Sequence, residues 1–143
     1  MGRVINPDST GKQRNQLMRT VAELVRRLGQ KTVVDDDAKD MAALLVYCLR
    51  EIDEGIDASA AAWEKRDYWM KADELRQRWA WAGQIADRLY SLILDERWDD
   101  FPAILVQLMP HIGDIKITKF TRDESLWQNA HSRLLLERAP NEQ

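Results

Sequence analysis

Apolar residues recur along this chain at spacings of three and four, the repeat that lines them up on one face of an α-helix. Leu17, Val21, Leu24 and Leu28 form the first such stripe, and Met18 and Val25 widen it. Pro7, Asp8, Ser9 and Thr10 supply a helix start before it, and Gly29 supplies a stop after it. The run "DDDAKD", Asp35 to Asp40, has the acids expected of a cap and first turn. The helix it opens continues through Met41, Leu44, Leu45, Cys48, Leu49 and Ile52. Its middle is apolar nearly all round, which predicts the central and most buried element. Gly55 is expected to break it.

A third helix is predicted from a cap at Asp57 or Ser59 to about residue 95. Tyr68, Ala72, Leu75, Trp79, Ala82, Ala86, Leu89 and Ile93 alternate four and three along one seam. Trp63, Met70, Trp81, Ile85 and Leu92 form a second stripe, roughly 140° away at 100° per residue. A helix with two apolar stripes packs against two neighbours, in its own chain or across a dimer. Gly83 within it marks a bend or a close crossing. A fourth helix fits Asp99 to Met109, with Pro102 tolerated in its first turn and Phe101, Ile104, Leu105, Leu108 and Met109 inward. "DIKITKF" alternates like a strand but has no partner strand, so it reads as an extended connector. A last helix starts at Asp123 or Ser125. The expectation is an all-α, single-domain bundle of four to five helices with one long, two-striped helix at about 57–95. Residues 1–8 form a basic arm, 9–137 the bundle and 138–143 a tail.

Composition agrees with one globular domain: 143 residues, 45% apolar and 31% charged. The single cysteine, Cys48, lies in an apolar run and cannot form an internal disulfide, which points to a reducing, cytoplasmic setting. The longest apolar stretch, Met41 to Leu49, is too short for a membrane span, so no membrane partner is expected. Charge changes the picture more. Residues 1–31 carry seven basic and two acidic side chains, net +5, in a chain of net −3. The remainder is therefore strongly acidic, and a basic front segment can seek phosphate polymers or acids of a second copy.

The chemistry-bearing patterns are sparse. His111 and His131 lack the Glu three residues earlier that a di-iron bundle uses, and two histidines alone make a poor zinc site. Asp35, Asp36, Asp37 and Asp40 are explained by helix capping without a metal. "STGKQ" has no second glycine at P-loop spacing. Glu51 and Glu54 close the second helix, and Glu64 and Asp67 lie early in the third. Across a helical hairpin such pairs can converge on Mg²⁺ and a nucleoside triphosphate. This resembles the paired acidic motifs of the all-α nucleotide pyrophosphohydrolases of the MazG type. The resemblance rests on those four residues and implies a Mg²⁺-dependent nucleotide hydrolase.

Six tryptophans are present. Trp79 and Trp81 fall on the apolar stripes, whereas Trp69 projects to the polar side with Arg66, Asp73 and Arg76. A tryptophan beside arginines is a favoured interface anchor. Val4 and Ile5, between Gly2 and Pro7, are suited to an apolar groove, with Arg3, Lys12 and Arg14 held at a surface. The expected binding residues are thus Arg3, Val4, Ile5, Lys12, Arg14, Arg66, Trp69 and Arg76. No catalytic residue, cofactor or metal is expected on this reading. It describes a non-enzymatic interaction or assembly protein, a homo-oligomer or partner of another protein, whose basic arm docks on an acidic partner surface. The alternatives are a small nucleic-acid-binding regulator using the basic front segment, and the Mg²⁺-dependent hydrolase.

Overall fold

Pro7, with its ring-fixed backbone and no N–H to leave unpaired, opens the first helix. That helix, α1, runs Pro7–Gly29 and takes in two residues that the sequence assigned to the arm. A computed structural model describes residues 7–138, and Arg3, Val4 and Ile5 lie outside that range. α2 spans Asp36–Lys65, α3 Trp69–Leu94, α4 Phe101–Ile112 and α5 Ala130–Arg138. Single 3₁₀ turns at Trp98–Asp100 and Glu124–Leu126 precede α4 and α5. Among the described residues there is no strand, and the architecture is an all-α bundle of five helices. No helix is long and apolar enough to cross a membrane, among those same residues.

α2 is the central element. It packs against α1, α3 and α5, while α4 lies on α1 and α3. Met41, Leu45, Leu49 and Ile52 of α2 are fully buried, and they meet Val21 and Leu24 of α1, Leu89 and Ile93 of α3 and Leu134 of α5 in one core. Asp35 caps α2 by accepting the Ala38 N–H at 2.8 Å. Asp36 and Asp37 fill its first turn, where negative charge suits the dipole.

The single long helix at 57–95 is not found. α2 continues through Gly55 to Lys65, and the chain reverses at residues 66–68 before α3. A glycine inside a helix costs only about 1 kcal/mol relative to alanine. The alanine-rich stretch after Gly55 favours helix strongly enough to absorb that. The reversal is set by Asp67, which adopts a left-handed φ of 64°, a conformation aspartate tolerates better than most residues. Of the two stripes only Trp63 therefore falls on α2; the rest begin at Tyr68 and run along α3, the second arm of a hairpin of two long helices. The seam from Ala72 onward is buried or half-buried as expected, but Tyr68 and Met70 are exposed, as is Met109 of α4.

The connector forms neither helix nor strand over residues 115–123, and it bends at Thr118 and Lys119 rather than running extended throughout. The last helix begins later than Asp123. Asp123 accepts the Ser125 N–H at 2.9 Å and caps only the 3₁₀ turn. α5 is capped instead from α2, where Asp40 accepts the amides of Asn129 at 3.3 Å and His131 at 3.0 Å.

Candidate functional site

Three of the arginines of α1 bond to the connector that crosses the helix. The connector has backbone carbonyls that no strand among the described residues pairs, and side-chain donors within reach can bond them. Arginines of α1 supply them. Arg19 donates to the carbonyls of Lys116 at 3.4 Å and Lys119 at 2.9 Å, Arg26 to Ile117 at 3.3 Å, and Arg27 to Arg122 at 2.8 Å. The Arg27 guanidinium also lies 4.1 Å from the centre of the Phe120 ring. Lys31 pairs with Asp35 and Asp37 at 3.0 and 3.2 Å.

At the centre of this strap is Glu23, whose side chain has no exposed surface. It accepts from Arg19 Nε at 2.8 Å, the Thr121 and Arg122 amides at 2.8 and 2.9 Å, and the Thr121 hydroxyl at 2.6 Å. Burial pushes its carboxyl pKa up, but the hydrogen bonds from Arg19, Thr121 and Arg122 together outweigh that and bring it to about 2. Glu23 was not singled out from the sequence. The signal was its position as the one charged residue in the run "TVAELV".

The remaining candidates divide. Lys12 is exposed on α1, two positions and therefore about 200° around the helix from Arg14. Arg14 is half-buried, with its guanidinium 5.2 Å from the centre of the Trp79 ring. Burial lowers its pKa. Arg14 and Arg66 come together in one groove of about 330 Å³, with Ser59, Trp63 and Leu75 also lining it. Arg76 is not available to a partner in the same way. It donates to both carboxylate oxygens of Glu64, at 2.6 and 3.2 Å, and also pairs with Asp57. Trp69 stands in solvent at the hairpin tip. Beside it Trp63 meets Tyr68 edge to face at 5.5 Å, and Lys71 lies 5.0 Å from the Trp63 ring centre.

The four carboxylates of the MazG-type pattern do not converge. Glu54 and Glu64 lie on the same unbroken α2, ten residues and so about 15 Å apart along its axis. Glu64 is occupied by Arg76, and Asp67 is in the turn. Glu51 and Glu54 line a second groove of about 500 Å³ that adjoins the first and shares Thr10 and Arg14 with it. Among the described residues no group of three or more His, Cys, Asp or Glu side chains is placed to hold a metal ion. On the other side of the hairpin, Asp53, Asp57 and Asp87 line a cleft between α2 and α3. Gly83 permits the close approach, since a Cβ there would sit 2.9 Å from the Asp53 carboxylate. The Asp53 pKa is raised, first by burial and then by the charges of Asp57, Asp87 and Glu54.

His111 lies flat on Trp81, ring centres 3.9 Å apart, and His131 meets Trp98 at 6.0 Å. Burial lowers the pKa of both. The Cys48 thiol is pushed up to about 12, chiefly by burial, which keeps it protonated and unreactive. The acids of "DDDAKD" serve structure: besides the two caps, Asp37 accepts the Trp127 indole N–H at 2.8 Å.

The class this defines is a five-helix, all-α bundle with an arginine-lined groove at one end of a long helical hairpin and an acidic cleft along it. No family model matches the chain, and neither a curated protein nor a solved structure is detectably similar to it.

Proposed function

We propose that the protein acts without catalysis, as an interaction and assembly protein that pairs with a second copy of itself in a reducing, cytoplasmic setting. One observation carries the reading. Tyr68, Trp69 and Met70, consecutive in sequence, are 49%, 60% and 82% exposed at the tip of an ordered helical hairpin. Large apolar side chains gathered at an exposed point are a hallmark of contact surfaces, and tryptophan and tyrosine are the residues that most often anchor them.

Charge supports a like partner. Lys65, Arg66 and Lys71 surround the tip, while the cleft of Asp53, Asp57 and Asp87 lies further along the same hairpin. Two hairpins laid antiparallel about a two-fold axis would bring each basic tip toward the other's acidic cleft, as a self-complementary interface requires. The cleft is also an acidic surface that Arg3 and Lys12 of a second copy can meet. The nucleic-acid reading draws less support, because Arg19, Arg26, Arg27 and Lys31 are engaged within the fold.

Sedimentation equilibrium at micromolar concentrations tests this. A dimer is expected for the native chain, weakening as salt screens the charges. Trp69→Ala with Met70→Ser is expected to give a folded monomer, because both side chains are largely outside the core. A monomeric native chain, or a dimer unchanged by the double substitution, overturns the proposal.

A further inference from the structure

We propose that the groove between the first turns of α1 and the joined ends of α2 and α3 binds a small molecule in which an anionic group is carried on a flat apolar body. Two guanidinium groups line it, Arg14 from α1 and Arg66 from the end of α2. Among the described residues neither is hydrogen-bonded or ion-paired to a carboxylate. Arg19, Arg50, Arg76 and Arg97 by contrast each hold one. Arg14 is the more telling of the two. It is half-buried, its pKa is lowered by lost hydration, and the contact that steadies its charge is the face of Trp79. A partly dehydrated cation with no counter-charge among the described residues gains from an anion more than a solvated one does. The guanidinium fork suits the paired oxygens of phosphate or carboxylate.

The rest of the lining fits a flat apolar body. Trp63 and Leu75 form an apolar wall, and Ser59 adds a hydroxyl. The volume of about 330 Å³ is in the range of small-molecule sites. Beyond Arg14 the adjoining groove carries Glu51 and Glu54. A ligand long enough to enter it would need an uncharged or cationic far end, and a molecule anionic at both ends would be rejected. This inference does not depend on self-association: Arg66 both lines the groove and flanks the hairpin tip, but none of the groove residues is Tyr68, Trp69 or Met70, and ligand binding and oligomeric state are read separately, the Arg14 variant at a position away from the tip.

Calorimetric titration with phenyl phosphate, benzoate and phenol, on native protein and on folded variants checked by circular dichroism, tests it. Phenyl phosphate or benzoate is expected to bind with a Kd of about 1 mM or tighter, and phenol about tenfold more weakly. The stronger of the two anions assigns the head group as phosphate or carboxylate. Arg66→Ala, at an exposed position, and Arg14→Gln are each expected to weaken the anion about tenfold. Arg88→Ala, elsewhere on α3, should leave binding unchanged. No saturable binding of either anion overturns the proposal. So does phenol binding equally well, or affinity unchanged in both groove variants.

Discussion

Replacing Glu23 is expected to release the strap that holds residues 115–123 on α1. Its four close partners are all donors: the Arg19 guanidinium, two backbone amides and the Thr121 hydroxyl. A carboxylate is acceptor-only and can satisfy them together. Glu23→Ala removes every acceptor and leaves the guanidiniums of Arg19 and Arg122 beside a hole. Breaking a buried charge pair in this way costs about 3–5 kcal/mol. Glu23→Gln is a sharper probe, because the shape is kept but the amide NH₂ points a donor at donors. Only the hydroxyl can rotate to accept, so a loss of about 2–3 kcal/mol is expected.

The pH dependence gives an independent magnitude. The folded carboxyl titrates at about 2 against an ordinary value of 4.5. Its folded-state pKa is depressed, so its stabilisation is complete above the ordinary value and is lost as pH falls from there toward 2. The shift corresponds to about 3 kcal/mol. Urea unfolding followed by tryptophan fluorescence, repeated between neutral and acid pH, reads both effects. The native chain should lose this portion of stability in acid, and Glu23→Gln should lack it. Amide exchange should report faster opening at Thr121 and Arg122 in either variant. If both substitutions cost less than about 1 kcal/mol at neutral pH, the strap is not held by this carboxylate.

Four further outcomes are expected. Cys48, buried and with its thiol pushed up to about 12, should react with a thiol reagent only at the rate of unfolding, and a prompt stoichiometric reaction would contradict its placement. Asp40→Ala should cost about 1 kcal/mol by uncapping α5, with exchange rising at the His131 amide. Gly83→Ala should stabilise more in an Asp53→Ala background than alone, because a Cβ meets the Asp53 carboxylate at 2.9 Å; equal effects in a double-mutant cycle would remove that contact. The histidines have depressed folded pKa values, so protonation opposes folding: stability should fall as pH drops below their ordinary 6.5, and His111→Gln together with His131→Gln should flatten that part of the profile.

The fold was legible where local pattern decides it. The α1 and α2 stripes, the Asp35 cap, the connector and the burial of α2 all follow from spacing and capping chemistry. The α2–α3 boundary was not. Gly55 followed by Asp57 and Ser59 has the form of a stop and a start, yet the alanines after it carry the helix on. The reversal is set by the left-handed backbone of Asp67, which no periodicity marks. The exposure of Trp69 was readable because it falls off both stripes. That of Met70 was not, because its stripe loses its facing helix at the hairpin tip. The Glu23 strap and the Asp40 cap join residues about ninety or more positions apart, and spacing within one helix carries no information about them.

The uneven charge of the chain has a different meaning once its partners are known. A net positive front on an acidic chain suggests an outward-facing patch. In the fold, the cations of α1 sort by chemistry rather than by sign. Arginines that meet the connector are used as hydrogen-bond donors, several N–H groups to one planar head, so that Arg19 serves two carbonyls and a carboxylate at once. A lysine could not do this from one position. Arg14 differs because none of the described residues outside the helices crosses its end of α1; it lies on an aromatic ring beside a groove. Among the arginines of α1, what distinguishes a structural one from an available one is whether the connector passes within its reach. By that criterion the availability of α1's positive charge for an external anion is concentrated near its first turns, beside the hairpin tip, and not spread along the helix.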